Sequence, residues 1–344
     1  MARSGPVIVF RTEGDTQVGL GHVVRSLALA RRLSPPARCV FIMGTRDDPV
    51  LDKVTAAGHE VACLRPGATP EEAAEAIARQ TPQAAVIDLP GRADDRALRR
   101  AAPLLVVIDD LGLAERDADL VINGTLVQQF RDYPRGGETQ FLLGPTYIIL
   151  GDEFARCGAQ PRGFPRVART AVVSMGGADQ RGLTPRVLEA LGTVEAIERC
   201  LVVVGPMCGD AGAVRRTADA SRLACRVVTD PPHMAPLLYG ADLAVTCGGM
   251  TLYEAAAVGT PAIALPQVEP QMTEIEEFAQ RGAALPVAGD LEPDLTDLAA
   301  AARGLAANLT QRKEMSRCAR ALVDGRGAQR VAVAILDLLA APVR

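Results

Sequence analysis

The residue best suited to acid–base chemistry is His22, which stands in the turn Gly19-Leu20-Gly21-His22 where a helix is predicted to begin. The helix dipole disfavours a charged imidazolium at that end, so we expect a neutral ring. A neutral imidazole can take a proton from an attacking water or hydroxyl. Glu13 or Asp15, in the preceding loop, could orient the ring. The alternative is an ordinary surface histidine in a turn.

A second chemically capable stretch is Gly248-Gly249, which lies between an apolar strand and a predicted helix. Free backbone N–H groups and the helix dipole together favour an anion at such a place. Thr251 is predicted to cap that helix, and Gly259 to end it. Glu254, one turn further on, would suit the two hydroxyls of a ribose beside a phosphate. The alternative is a βαβ turn in which the glycines only allow tight packing and Glu254 is solvated.

Other candidate groups carry weaker signals. Gly19/Gly21 and Gly176/Gly177 form further glycine turns at strand ends, and no turn matches GxGxxG or a Walker A loop. Asp109-Asp110 could bind a metal, although we favour a strand-end pair that caps a turn. Of the three histidines, His59 and His233 have no evident catalytic task, and the set is too scattered for a zinc site.

Short apolar strands alternate with helical segments along the chain, which predicts α/β domains with doubly wound parallel sheets. The helix after Gly21 follows a polar loop at residues 11–18 and stops at Pro35-Pro36. The predicted strands are Pro6–Phe10, Cys39–Met43, Glu60–Leu64, Ala84–Asp88, Leu104–Asp110 and Leu120–Asn123, then Thr170–Met175, Cys200–Val204, Cys225–Val228, Ala241–Cys247 and Ala262–Leu265.

The alternation lapses in the middle of the chain and then restarts. Residues 155–169, rich in Gly, Pro and Arg, are the best candidate for an interdomain linker. We therefore predict an N-terminal Rossmann-like domain at 1–155, a second at 169–325 and a C-terminal helix at 326–344. The two domains are expected to face each other across a cleft, with a phosphorylated ligand held by one and attacked from the other.

Composition excludes several classes of function. The chain has 344 residues and a net charge of -4, whereas general nucleic-acid binding needs a basic surface. Its eight cysteines form no CxxC pair, which favours reduced thiols in a cytoplasmic protein. We see no signal peptide, and the apolar runs are too short to span a bilayer, so no membrane insertion is expected.

Several motifs, in the right order between about Val7 and Gln271, resemble the UDP-sugar hydrolases of pseudaminic acid biosynthesis. The matching segments are Phe10-Arg11-Thr12-Glu13, Gly19-Leu20-Gly21-His22-Val23-Val24-Arg25, Val107-Ile108-Asp109-Asp110-Leu111-Gly112, Leu143-Gly144-Pro145-Thr146-Tyr147, Ser174-Met175-Gly176-Gly177-Ala178-Asp179 and Cys247-Gly248-Gly249-Met250-Thr251-Leu252-Tyr253-Glu254. That family is a branch of the GT-B fold, similar to the glycosyltransferase that adds N-acetylglucosamine to lipid-linked muramyl pentapeptide.

The resemblance implies an enzyme, without metal or cofactor, that hydrolyses UDP-2,4-diacetamido-2,4,6-trideoxy-altrose as water displaces UDP from the anomeric carbon. It makes His22 the base, assigns the diphosphate to Gly249, Met250 and Thr251, the ribose to Glu254, and the uracil to the stretch around His233-Met234. By the same resemblance the substrate-binding set also includes Arg11, Gly19, Gly21, Arg25, Gly177, Gly248 and Gln271.

Two positions depart from the family pattern. Asp88-Leu89-Pro90 has Pro where the family usually carries Tyr, and Glu269-Pro270-Gln271 keeps the Gln but lacks the preceding Asn. Both belong to the sugar and water region, so nucleotide-sugar binding is better supported than the particular sugar. A glycosyltransferase of the same fold, with a small hydroxyl acceptor, is the main alternative. A protein that binds nucleotide sugars without turnover is the third.

Overall fold

A computed structural model describes residues 5–15, 19–44, 46, 48–91, 95–113, 117–133, 137–287, 291 and 294–341. The chain forms two compact units. Unit 1 comprises Met1–Gly151 together with Arg326–Arg344, and unit 2 comprises Asp152–Gly325. The C-terminal helix that the sequence sets apart is therefore part of unit 1, and residues 152–155, assigned to the first domain, belong to unit 2.

Unit 1 is built on a parallel sheet. Its strands are Val7–Thr12 (β1), Arg38–Met43 (β2), Glu60–Cys63 (β3), Ala84–Asp88 (β4), Leu104–Ile108 (β5), Leu120–Asn123 (β6) and Gln140–Leu143 (β7). Within the described residues the sheet has seven strands in the order β3-β2-β1-β4-β5-β6-β7. The strands are almost continuously apolar, as both faces of a parallel sheet are covered. The stacked rings of Phe10 and Phe41, with centroids 5.0 Å apart, lie in this core.

The helices of unit 1 follow its first strands. They are Gly21–Leu33 (α1), Asp48–Ala56 (α2), Pro70–Ala78 (α3) and Asp95–Leu98 (α4). Helix α1 turns Val23, Ala30 and Leu33 inward at helical spacing, so it packs along the sheet. Helix α3 begins with a capping box in which Thr69 and Glu72 satisfy each other's backbone N–H groups. Residues 16–18 of the predicted polar loop lie outside the described residues.

Unit 2 repeats the architecture. Its strands are Thr170–Ser174 (β8), Arg199–Val204 (β9), Ala224–Thr229 (β10), Leu243–Cys247 (β11), Ala262–Leu265 (β12) and Leu285–Pro286 (β13). The described part of this sheet has six parallel strands in the order β10-β9-β8-β11-β12-β13. In both units the strand order therefore reverses direction between the first and fourth strands, which is the arrangement of a doubly wound Rossmann-like fold.

The remaining helices complete unit 2 and return to unit 1. Those of unit 2 are Asp152–Gly158 (α5), Leu183–Gly192 (α6), Ala211–Ala220 (α7), Ala235–Tyr239 (α8), Met250–Val258 (α9), Glu269–Gln280 (α10), Leu295–Ala307 (α11) and Leu309–Leu322 (α12). Helix Gly327–Ala340 (α13) packs against α1 in unit 1. None of the helices in the described part of the chain has both the length and the apolar character needed to cross a bilayer.

The segment predicted as a linker, residues 155–169, is instead anchored within unit 2. It contains most of α5, and the buried Arg312 donates from its guanidinium to the carbonyls of Arg166 and Leu305 at 3.2 and 2.7 Å. The Arg162 guanidinium donates to Tyr239 O at 2.9 Å. The glycine and proline content predicts a flexible segment, but the side chains of Arg162 and Arg312 hydrogen-bond this segment to the rest of unit 2.

Candidate functional site

The site in unit 1 lies where its strand order reverses. Strands β1 and β4 are neighbours, and Thr12 is the register partner of Asp88 at their carboxyl ends. Helix α1 follows β1 and begins at Gly21, so His22 stands in its first turn. Ligands of open α/β sheets bind in the crevice at this switch point. The fold therefore places His22 at the edge of the sheet where chemistry is expected.

His22 is held by a buried carboxylate. Its Nδ1 lies 2.7 Å from Asp88 Oδ1, and the Asp88 side chain is completely buried whereas that of His22 is 18% exposed. Ser26 donates its hydroxyl to Asp88 Oδ2 at 3.2 Å. Sequence reasoning assigned Asp88 no catalytic task and named Glu13 or Asp15 as the orienting carboxylate. In the structure, Asp88 is the carboxylate in contact with the imidazole.

Arg25 fixes the charge of this pair. Its Nε donates to Asp88 Oδ2 at 2.7 Å, and one terminal nitrogen donates to both oxygens of Asp110, at 2.8 and 2.6 Å. Burial opposes ionisation of Asp88, but the Arg25 guanidinium outweighs it and holds the pKa of Asp88 well below its usual range. Burial likewise disfavours the Arg25 cation, yet Asp110 and Asp88 together raise its pKa above the ordinary value.

The charge on Asp88 determines the tautomer of His22. An ionised carboxylate has no proton to donate, so the 2.7 Å contact requires that Nδ1 carry the hydrogen. The lone pair of the neutral ring is then on Nε2. Arg25 Nη2, 3.0 Å from Nδ1, donates to Asp88 Oδ1 instead. The arrangement is a His–Asp dyad in which a histidine is oriented as a general base.

Two predicted binding residues of unit 1 have internal partners instead. Arg25, predicted to bind substrate, directs its guanidinium at two carboxylates of its own unit and acts as a positioning residue. Arg11, at the end of β1, pairs with Glu13 at 2.5 Å, and Glu13 accepts from Gly44 N at 2.8 Å. Asp15 joins Gly19 through the backbone, with Gly19 N donating to Asp15 O at 2.7 Å.

The Asp109-Asp110 pair divides its roles. Asp109 Oδ1 accepts from Leu111 N at 3.0 Å, which caps the turn after β5, and its Oδ2 accepts from the Tyr133 hydroxyl at 2.7 Å. Burial and the Asp109 carboxylate raise the pKa of Tyr133, while the Asn123 amide, which donates to its oxygen at 2.9 Å, opposes them. Across the described ranges no group of three or more potential ligands is arranged to hold a metal ion.

The glycine loop of unit 2 occupies the equivalent switch point. Strands β8 and β11 are neighbours there, with Ser174 the register partner of Thr246. Gly249 has φ 82° and ψ -156°, a conformation open essentially to glycine alone, and it precedes α9 as its N-cap. The prediction that Thr251 caps this helix is wrong, because α9 already begins at Met250. Helix geometry leaves the N–H groups of Met250 and Thr251 without intrahelical acceptors.

The glycine loop is closely packed against residues that follow β12. A Cβ on Gly248 would lie 2.7 Å from Gln271 Cβ, so the predicted binding residue Gln271 packs directly on the loop. The Gln271 side-chain oxygen accepts from Gln267 N at 2.8 Å. Gln267, which sequence reasoning missed, donates to Met175 O at 2.7 Å and ties the end of β12 to the loop that contains Gly177. Its position just after a strand is the feature of the sequence that indicates a role at this edge of the sheet.

Glu254 is a carboxylate without a protein partner in the described structure. It is half-buried in α9 and makes no hydrogen bond or ion pair with the described residues. Burial, reinforced by the nearby Glu153, raises its pKa to about 8. A hydrogen bond from a hydroxyl donor would stabilise the ionised form of such a partly buried carboxylate.

The predicted uracil stretch lies in unit 2 before a short helix. His233 is exposed and Met234 is half-buried, and both precede α8. They come after the carboxyl end of β10, the outermost strand of the sheet. Like the other candidate groups, these two residues follow the carboxyl end of a strand.

Comparison with known proteins identifies the architecture. No family model matches the chain. Among curated proteins it is 29% identical over 336 residues to the spore coat polysaccharide biosynthesis protein SpsG of Bacillus subtilis, covering 95% of this chain and 96% of SpsG.

Solved structures agree over nearly the whole chain. MurG of Acinetobacter baumannii superposes with a TM-score of 0.67 at 17% identity, covering 96% of this chain and 100% of MurG. The calicheamicin glycosyltransferase CalG4 superposes with a TM-score of 0.64 at 18% identity, covering 98% and 100%. The chain has the GT-B fold. The predicted fold class, two Rossmann-like α/β domains of GT-B type, is confirmed.

Proposed function

We propose that this GT-B protein is an enzyme that transfers a sugar from a uridine diphosphate donor to a hydroxyl acceptor. The observation that carries the proposal is the His22–Asp88 dyad at the switch point of unit 1, with 2.7 Å between Nδ1 and Oδ1. The likeness to SpsG, whose name places it in polysaccharide biosynthesis, supports a carbohydrate pathway. The likeness to MurG and CalG4 supports the scaffold on which such a transfer would occur.

In the proposed reaction His22 acts as general base through Nε2. The acceptor hydroxyl gives its proton to Nε2 while its oxygen forms a bond to the anomeric carbon. The bond from that carbon to the β-phosphate oxygen breaks, and UDP leaves with the electron pair. Asp88 stabilises the imidazolium formed in this step, and Arg25 keeps Asp88 ionised throughout. Arg25 and Asp110 act through Asp88 and do not touch substrate.

Unit 2 supplies the donor site in this proposal. The diphosphate takes the N–H groups at the start of α9, from Gly249, Met250 and Thr251, where the helix dipole favours negative charge. The ribose hydroxyls donate to Glu254, whose carboxylate has no partner among the described residues. The uracil is read by backbone groups near His233 and Met234. These are the roles that the sequence motifs imply for the same residues.

Hydrolysis is the second candidate, with water in place of the acceptor hydroxyl. It is favoured by the motifs between Val7 and Gln271 that resemble UDP-sugar hydrolases. The same dyad serves both reactions, because an imidazole deprotonates water as it does a hydroxyl. Pro90 and Pro270 stand where that family has Tyr and Asn, in the region assigned to sugar and water. The transferase is therefore our main proposal.

The two reactions are separated by UDP release from a panel of UDP-sugars, measured with and without a mixture of acceptor sugars. The panel includes UDP-N-acetylglucosamine and the diacetamido-trideoxy sugar. Release that needs an acceptor supports the transferase, and fast release without one supports the hydrolase. In either case His22→Ala should lower turnover by roughly 100-fold or more. The control is His59→Gln, a histidine outside the dyad, which should retain activity. UDP binding with no turnover by any combination would refute both.

A further inference from the structure

The described structure places an acidic side chain on the proposed diphosphate site itself. The backbone N–H of Gly249 donates to Glu274 Oε2, although the two residues are 25 positions apart. Glu274 lies on α10, one turn beyond Gln271, which packs on Gly248. The N-cap of α9 thus already has an anionic acceptor from its own unit.

A carboxylate at this position resembles the ligand that the helix start is proposed to bind. Both a carboxylate and a phosphate offer charged oxygen acceptors, and both are favoured by the positive end of the helix dipole. Two such anions cannot share one N–H group, since like charges at that distance repel. A phosphate oxygen reaches Gly249 only when the Glu274 carboxylate has left.

We propose that Glu274 is an internal competitor for the diphosphate: its carboxylate binds Gly249 N–H, yields to the donor, and returns as UDP leaves. The inference rests on the proposed function, because it takes the start of α9 as the diphosphate site. Exchange of one anion for another keeps the loop hydrogen-bonded in both states. It also disfavours weakly charged groups at the start of α9, which cannot displace a resident carboxylate, and it promotes release of the product.

The competition needs only the Glu274 side chain to move, because helix α10 is held in place by packing. Ile275 and Phe278 are buried and fix α10 against the unit, whereas Glu274 is half-buried. A glutamate side chain has three rotatable bonds, so the carboxylate can swing away without a backbone shift. Glu276, on the same helix, is exposed and provides a matched control.

The test is calorimetric titration of the full chain and its Glu274→Gln, Glu274→Ala and Glu276→Gln variants with UDP and with uridine. Removal of the competing charge should tighten UDP binding about tenfold in both Glu274 variants and leave uridine affinity unchanged, since uridine has no phosphate. Glu276→Gln should bind both ligands as the unaltered protein does. UDP affinity that is unchanged or weaker in Glu274→Gln, with normal uridine affinity, overturns the competitor role. The competitor role is also overturned if Mg²⁺ strengthens UDP binding only in the proteins that retain Glu274.

A second probe separates this inference from the proposed function. If neither UDP nor uridine binds, the uridine donor is wrong, and inorganic pyrophosphate then tests the anion site by itself. Tighter pyrophosphate binding to Glu274→Gln supports the competition. Equal pyrophosphate affinity, or binding to neither protein, overturns it. The Gly249 amide proton offers a ligand-free check, because its NMR resonance should shift upfield in Glu274→Ala when the charged acceptor is lost, and an unmoved resonance also counts against the proposal.

Discussion

Asp88 Oδ1 lies 2.7 Å from His22 Nδ1, although 66 positions separate the two residues in the chain. The contact exists because β1 and β4 pair in the sheet, which brings the residue at the end of β4 beside the first turn of α1. The dyad is therefore a product of the strand order, and it sits on rigid elements rather than on a loop.

Asp88→Asn should lower turnover by roughly 100-fold or more while leaving UDP affinity nearly intact. An asparagine amide can present its NH₂ to Nδ1, which puts the imidazole hydrogen on Nε2 and removes the base. Steady-state turnover and UDP calorimetry on the same preparation check this. The comparison variant is Asp110→Asn, which leaves the contact between Asp88 and His22 in place and should have a smaller effect. Near-normal turnover in Asp88→Asn would show that the dyad is not the base.

Acid should remove the contribution of Asp88 to stability. The pKa of Asp88 is lowered in the folded protein, so its contribution is fully present above its ordinary pKa, near 4, and is lost as pH falls toward the folded value. The free energy of unfolding, measured in urea from pH 7 to pH 3, should fall more steeply for the unaltered protein than for Asp88→Asn. Parallel curves for the two proteins would contradict this assignment.

Arg25→Lys should destabilise unit 1 by about 3 kcal/mol or more, because one ammonium cannot replace a buried guanidinium that bonds two carboxylates. Arg38→Lys is the matched control. Arg38 pairs with Glu60 at 2.7 Å, but both side chains are about half exposed or more, at 49% and 63%. Its loss should cost less than about 1 kcal/mol. Denaturant unfolding of both variants gives the comparison, and equal costs would refute the bridging role of Arg25.

Uridine affinity should rise with pH through Glu254. Its pKa is about 8, so the carboxylate is mostly protonated at pH 6.5 and mostly ionised at pH 8.5. If ribose hydroxyls donate to the ionised form, affinity should increase roughly tenfold over that range. Glu254→Gln should show a flat profile. In the unliganded protein the sign is opposite: a raised acid pKa means that stability falls as pH rises from about 4.5 to about 8. Flat profiles for both proteins would remove Glu254 from the ribose site.

Gly248→Ala should destabilise unit 2 by about 1–3 kcal/mol and weaken UDP binding, because the added Cβ would overlap Gln271. Gly304→Ala is the contrasting variant. Gly304 lies exposed inside α11 with open space at its Cβ position, so alanine there should stabilise by roughly 0.5–1 kcal/mol. Thermal unfolding should therefore move in opposite directions for the two variants, and a shift in the same direction would contradict the packing argument.

The alternation of apolar strands and helices was sufficient to predict the fold, because buried parallel strands differ so clearly from the amphipathic helices between them. The sequence pattern did not predict strands β7 and β13 or helices α5, α7 and α10. Strand β13 has only two residues, and α7 buries only Val214 and Ala218. Helix α5 was included in a supposed linker because the Gly, Pro and Arg content around it signalled flexibility.

The site was only partly predictable for a different reason. His22 and the Gly248-Gly249 loop stand in local patterns, which a sequence displays directly. Asp88 and Gln267 act through partners 66 and 92 positions away, and those distances close only when the strand order is known. Glu274 reaches Gly249 in the same way. A role that depends on which strands are neighbours cannot be predicted from the order of residues along the chain.

The return of α13 to unit 1 has a consequence for how the protein can be cut and rebuilt. A Cβ on Gly327 would lie 2.0 Å from Ile148 O, and one on Gly325 would lie 2.7 Å from Ala155 N. In each unit, therefore, the segment by which the chain enters and the segment by which it leaves are in contact. Unit 2 is thus a contiguous cassette whose two ends adjoin. We expect that a short bridge from 148 to 327 would close unit 1 without it, and that cassettes from related chains could be exchanged at the same seam.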